Sequence, residues 1–356
     1  MNPFRILILS DGRPGHFNLS DGIAAAVERL GPSVTVRHDV RRGRWPGAVA
    51  AALTRSRLPS RAMLTSVYDI PEAEFPACDL IVSAGAETLA ANVWLARSRG
   101  VPNIFYGSLR LFQPCDFTLV LTSYARNANL PRHALALKPS RLDPDSLGPP
   151  PPTPDFAKPT TLGLLVGGDA GAIRYEREDW NGLIELMSAT TRQNGVRWLV
   201  ANSRRTPTHF SDAVAHLARE VESPITRFLD VKTAGPGTLP QILEASAAVL
   251  CTADSSSMLS ECIWARRPAV AIAPNRCPLT PDEAAYRSWL RNSRWCAEVS
   301  IRTVTPDLLQ SAIAGIVPCS NNPQMELAAL LSDRIRIGGA QAAHNNSTPH
   351  RTMRGR

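Results

Sequence analysis

Short apolar runs alternate with amphipathic stretches along nearly the whole chain. Residues 6–9, 34–36, 80–82, 103–106 and 117–121 are mostly apolar runs, and so are 162–166, 196–200, 247–251 and 269–272. Runs of this length, largely without polar alternation, predict strands buried on both faces. Between them lie stretches with helical spacing. Residues 20–30 place Ile23, Ala24, Val27 and Leu30 on one face, and 87–98 end at Gly100. Residues 179–189, 210–221, 306–316 and 324–334 read as further helices. Strand–helix alternation predicts an α/β fold, with parallel sheets covered by helices on both sides.

The pattern breaks once. Residues 142–161 contain Pro144, Pro149 to Pro152, Pro154 and Pro159. So much proline makes a stiff, extended connection. The predicted organisation is a first Rossmann-like domain over 1–145, a linker over 146–160, a second Rossmann-like domain over 161–336 and a disordered basic tail over 337–356. A chain of 356 residues suits two such domains. Two doubly wound domains would face each other across a central cleft, because open α/β sheets bind ligands at the carboxyl ends of their strands.

Composition narrows the partners. The chain is 44% hydrophobic and carries a net charge of +8, which favours an anionic partner. Its seven cysteines are scattered, without a Cys-x-x-Cys pair, as expected in a reducing compartment. No signal-peptide layout and no stretch long enough to span a bilayer is present, so the expected location is cytoplasmic. Arg37, Arg41, Arg42, Arg44, Trp45, Arg55, Arg57 and Arg61 are dense and interleaved with apolar residues. Such a segment suits peripheral contact with the inner membrane face, or simply a solvated surface. No nucleic-acid module is recognised.

The chemistry concentrates after the strands. Thr252, Ala253, Asp254, Ser255, Ser256, Ser257 and Met258 follow the run at 247–251 and open a helix that carries Glu261. A helix N-terminus at a sheet edge presents free N–H groups and the positive pole of the helix to a phosphate. The serine hydroxyls add donors, and Glu261 could accept from ribose hydroxyls. Plain helix capping accounts for the same residue types. After 162–166 comes Gly167, Gly168, Asp169, whose glycines would bring amides close to a pyrophosphate. The Walker lysine is missing. After 196–200 comes Ser203, Arg204, Arg205, an arginine pair suited to phosphate oxygens. After 6–9 comes Asp11, Gly12, Arg13, Pro14, Gly15, His16, just ahead of the first predicted helix. Here the reading makes His16 a general base, with Asp11 orienting it or serving as the base instead. Gly12, Arg13, Pro14 and Gly15 form an acceptor-side loop. The Gly-x-x-Gly spacing is not a dinucleotide fingerprint. No metal-binding Asp-x-Asp pair is recognised, so no metal is assigned.

At these motifs the chain resembles the bacterial and plant family named after a plant mitochondrial fission (elongated-mitochondria) factor, over roughly residues 5–275. The matching residues are Asp-Gly-Arg-Pro-Gly-His, Gly-Gly-Asp, Ser-Arg-Arg-Thr-Pro and Thr-Ala-Asp-Ser-x-Ser-Met-x-x-Glu. The resemblance implies a GT-B-like glycosyltransferase with a donor site built on Gly167, Gly168, Asp169, Arg204, Arg205, Ser255, Ser257 and Glu261. One segment departs from the pattern. Where the family carries a Pro-Glu-His-Asp-like stretch, Leu121, Thr122, Ser123 and Tyr124 stand here, with neither acid nor histidine. The resulting expectation is a metal-independent transfer of sugar from a nucleotide-sugar donor to an anionic or lipid-linked envelope acceptor, with no further cofactor. A sugar-nucleotide epimerase and a membrane-associated scaffold are the competing readings.

Overall fold

The computed structural model describes residues 2–56, 58–148, 154–235 and 237–335. The prolines at 149–152, Arg57 and the proposed tail over 337–356 lie outside the described residues. The first sheet is built from β1 (Phe4–Ser10), β2 (Ser33–Asp39), β3 (Leu80–Ala84), β4 (Asn103–Tyr106), β5 (Leu119–Thr122) and β6 (His133–Leu135). Its helices are α1 (Pro14–Glu28), α2 (Gly47–Leu53), α3 (Ser60–Tyr68), α4 (Leu89–Arg99) and α5 (Ala125–Ala128).

The second sheet uses β7 (Thr161–Leu165), β8 (Arg197–Ala201), β9 (Ile225–Leu229), β10 (Ala248–Thr252), β11 (Ala269–Ala273) and β12 (Cys296–Ser300). Around it lie α6 (Arg177–Asn194), α7 (Thr208–Leu217), α8 (Val231–Ala234), α9 (Leu239–Ala245), α10 (Ser256–Trp264), α11 (Pro281–Asn292) and α12 (Pro306–Ala314). The last helix is α13 (Pro323–Arg334).

Both sheets have six strands, in the orders β2-β1-β3-β4-β5-β6 and β12-β11-β10-β7-β8-β9. Every strand pairing is parallel. This is the doubly wound α/β architecture expected from the alternation of strands and helices. In each sheet the winding reverses once. The chain leaves β1 for β2 on one side and returns to β3 on the other; likewise β8 and β9 lie on one side of β7, and β10 on the other. A crevice opens at such a reversal, where the loops after adjacent strands part in opposite directions.

The edge strands carry the weakest sequence pattern. β6, β9 and β12 were not expected, and each is a terminal strand of its sheet. β9 reads Ile-Thr-Arg-Phe-Leu, with Thr226 and Arg227 exposed, because an edge strand needs no continuous apolar run. The helix expected over 20–30 begins earlier, at Pro14, a residue suited to the first helical position because its missing N–H would be unpaired there anyway.

The two halves share one core cluster, which includes Ile23, Leu137, Leu147, Trp264 and Leu327. α13 follows the second sheet in sequence yet packs against α1 of the first. Arg29, the residue that caps the end of α1, bonds Asp143 at 3.1 Å and approaches Met325 of α13. Arg267, almost fully buried, donates to the carbonyls of Leu243, Ala265 and Leu147, and so ties the linker to the second unit.

Candidate functional site

At the reversal point of the first sheet lie the loops after β1 and β3. His16 Nδ1 stands 2.7 Å from Asp11 Oδ2. The aspartate side chain is 3% exposed and that of the histidine 34%. A buried carboxylate accepts from Nδ1–H, which leaves the lone pair on Nε2, the nitrogen available to a substrate proton. The histidine lies within the first turn of α1 rather than ahead of it, because the helix starts at Pro14. The reading of Asp11 as an alternative base is corrected by the same geometry: its carboxylate is enclosed and engaged with His16 and with the Arg13 amide at 3.2 Å.

Gly85, which follows β3, completes this corner and carried no signal in the sequence reading. Its φ is +94°, and a β-carbon there would sit 2.4 Å from His16 Nδ1 and 2.8 Å from Asp11 Oδ2. Gly12 turns the β1–α1 loop at φ +74°, with its amide on Ser10 Oγ at 3.0 Å. Arg13 flanks α1 without a side-chain cap, followed by Pro14 and Gly15 in the first turn.

At the reversal point of the second sheet lie the loops after β7 and β10, joined by the loop after β8. Asp254 is their hub. Its side chain has no exposure; it accepts from Arg205 Nη2 at 2.6 Å and from the Tyr175 hydroxyl at 3.1 Å. It is therefore a structural acceptor, not a ligand contact as the motif suggested. The glycines have a matching reason. A β-carbon on Gly167 would lie 2.1 Å from Asp254 Oδ2, and one on Gly168 would lie 2.1 Å from the Arg205 carbonyl oxygen. The Gly167 amide is spent on Thr252 Oγ1 at 2.7 Å, which corrects its assignment to a pyrophosphate. Thr206 fastens the loops together, donating toward the Val166 and Gly167 carbonyls.

Several donors remain. Among the described residues, the amides of Gly168 and Asp169 donate to no protein acceptor. Arg204 is exposed and makes no ion pair among the described residues. Asp169 holds the Tyr175 amide at 3.0 Å. Ser203 accepts from the Arg205 amide at 3.2 Å, shaping the turn.

α10 shows both readings of its motif at once. Ser255 caps the helix, accepting from the Met258 amide at 3.3 Å, so the capping reading holds for this hydroxyl. Ser256 Oγ accepts from Lys138 Nζ, a lysine just after β6 that also pairs with Glu283 at 3.1 Å. Burial pulls the Lys138 ammonium below its ordinary pKa. Ser257 is exposed and bonds nothing among the described residues. Met258 packs on the shared core. Glu261, half-buried and without a hydrogen-bond partner among the described residues, has its carboxyl pushed up to about 7 by burial.

Two further sequence readings change. An Asp-x-Asp pair does occur, at Asp143 and Asp145, but Arg29, Arg266 and Asn322 occupy it at the joint between the halves. In the basic segment, Arg37, Arg42 and Arg61 pair with Asp21, Glu87 and Glu72. Arg41 and Arg44 stay exposed, near the exposed side chains of Trp45 and Val49. No described helix is long and apolar enough to cross a membrane. The divergent Thr122–Ser123 stretch is structural: Ser123 bonds the Tyr106 hydroxyl and the Ala136 carbonyl, both at 2.8 Å.

Solved structures share this architecture at low identity. Acinetobacter baumannii MurG is 13% identical, with 93% of this chain and 100% of that chain covered and a TM-score of 0.51. A candidate UDP-N-acetylglucosamine 2-epimerase from Listeria monocytogenes is 10% identical, covers 92% and 91%, and scores 0.52. Phytolacca americana UGT2, complexed with UDP-2-fluoro-glucose and pterostilbene, is 12% identical, covers 94% and 99%, and scores 0.50. No curated protein matches significantly. The loop with Asp11 and His16 falls outside the matching family region. That region, residues 136–281, matches the family described as mitochondrial fission ELM1 and contains the Gly-Gly-Asp loop, the arginine pair and the Thr252–Glu261 motif.

Proposed function

We propose that the protein is a glycosyltransferase that takes a sugar from a nucleoside diphosphate donor held on the second sheet and passes it to an acceptor hydroxyl at the first. The observation that carries this reading is the Asp11–His16 pair at the reversal point of the first sheet. His16 Nε2 removes the acceptor proton as the acceptor oxygen bonds the anomeric carbon. The bond from that carbon to the diphosphate breaks, and the diphosphate leaves with the electron pair. Asp11 holds the imidazole orientation and stabilises the imidazolium. The departing charge falls on the free amides of Gly168 and Asp169, the first turn of α10 and the Arg204 guanidinium. Preorganised donors of this kind contribute about 3 kcal/mol each. Glu261 accepts from a ribose hydroxyl. The acceptor is an envelope molecule with a lipid or anionic part, approached through Arg41, Arg44 and Trp45 on a peripheral membrane face.

The names of the Phytolacca and Listeria structures make uridine diphosphate sugars the first donors to try. The test is thermal stability and nucleoside diphosphate release across a panel of uridine, guanosine, cytidine and thymidine sugar nucleotides. A ligand at about 100 times its Kd should stabilise by roughly 2.7 kcal/mol. His16→Ala should keep donor binding and lose turnover by at least about a hundredfold. If no nucleotide binds the wild type, the reading is wrong. If the sugar emerges isomerised and still attached to its nucleotide, the epimerase reading replaces it.

A further inference from the structure

Three of the seven tryptophans converge away from the cleft. Trp264 ends α10, Trp289 lies on α11 and Trp295 follows it; together with Leu137, Leu330 and Glu326 they line a partly open cavity of about 190 Å³. Trp264 is eight residues beyond Ser256, so the cavity lies about 12 Å along α10 from the candidate donor site. Its volume is below the roughly 300 Å³ at which sites for drug-sized ligands begin, which excludes a sugar nucleotide.

We infer that this cavity binds a small quaternary ammonium group of the choline type. Glu326 is the only charged residue in the lining among the described residues. Among the described residues its one bonded partner is the neutral Asn321, whose amide donates to Oε1 at 2.7 Å, and it pairs with no cation. Trp289 and Trp295 stand edge to face, with centroids 5.9 Å apart, and an indole face attracts a cation. A primary ammonium or guanidinium would bring several N–H donors into a lining with one carboxylate. A quaternary ammonium brings none and is weakly hydrated.

The site is independent of the donor reading and is tested on the full-length protein without nucleotide. Tryptophan fluorescence would follow titration with choline chloride and with 3,3-dimethyl-1-butanol, its uncharged counterpart of the same shape, at constant ionic strength. Choline should give a saturable change, and the neutral alcohol should bind about tenfold more weakly. Glu326→Gln, an exposed position that leaves the fold intact, should weaken choline by a similar factor, and Trp289→Leu should abolish its signal. Vesicles of phosphatidylcholine distinguish a lipid headgroup from a free ligand: co-sedimentation lost in Glu326→Gln identifies the headgroup, and its absence beside choline binding identifies the free form. No saturation with choline, equal binding of the neutral alcohol, or an unchanged Glu326→Gln would each overturn the inference.

Discussion

Arg205 reaches across from the loop after β8 to hold Asp254 at 2.6 Å, and the aspartate it holds has no exposure while the arginine is 44% exposed. The pair is thus open on one side only. It fixes the loop after β10 against the loop after β7, and leaves Arg204 as the outward-facing member of the arginine pair.

The packing of Asp254 under Gly167 predicts a coupled pair of substitutions. Gly167→Ala forces a methyl group to within 2.1 Å of the carboxylate and should cost roughly 2–4 kcal/mol of stability. In an Asp254→Ala background the same change should cost at least about 1 kcal/mol less, because the clashing atoms are gone. Urea denaturation of the four proteins in this cycle gives the answer; additive costs would mean the glycine is required for another reason.

Gly85→Ala should damage the catalytic corner more than the fold. The residue has φ +94° and no room beside His16. We expect about 1–3 kcal/mol of lost stability from the backbone strain and displacement of the imidazole from Asp11. An upfield or downfield shift of the His16 ring resonances relative to wild type, with the other histidines unmoved, would report that displacement. Unchanged resonances would show that the corner adapts.

Capping and phosphate binding can be separated at Ser255. Asp is as good an N-cap as Ser, whereas Ala is not, so Ser255→Ala should lose about 1 kcal/mol of stability and Ser255→Asp little or none. The new carboxylate would stand where a diphosphate is proposed to lie, so Ser255→Asp should weaken nucleotide binding. Thermal melts with and without ligand test both halves. Ser257→Ala should be neutral for stability, since that hydroxyl is exposed and bonds nothing among the described residues.

Glu261 makes stability and binding depend on pH. Burial raises its carboxyl from 4.5 to about 7 in the folded state. The folded protein therefore binds more protons than the unfolded chain between these values, so stability falls as pH rises through that window and levels off above about 7. The contribution is at most about 3 kcal/mol. A ribose hydroxyl donating to the carboxylate favours its charged form, so nucleotide binding near pH 6 should release a proton. Calorimetry in buffers of different ionisation enthalpy measures that proton, and Glu261→Gln should remove both the release and the pH slope.

Much of this protein was legible before its structure. The buried strands at the centres of both sheets announce themselves because each must be apolar on two faces, and the polar motifs that interrupt them fall at strand ends for the same reason. Ser255 could be placed at a helix start from its type and position alone. What the sequence could not decide was adjacency. Strand order is set by which crossovers pack, and a local pattern carries no record of it; yet that order puts the β3 loop beside the β1 loop, and the β10 loop beside the β7 loop. Only then does Gly85 become the floor beneath His16, Asp254 the anchor of Arg205, and Gly167 a residue required for close packing rather than for a phosphate. The edge strands β6, β9 and β12 escaped notice because one side of each lacks a neighbouring strand, which relaxes the demand for apolar residues. The chemistry of the candidate site was written in residue types; its division of labour came from long-range packing, where a hydroxyl or amide can be spent on a neighbour 85 residues away, as the Gly167 amide is on Thr252.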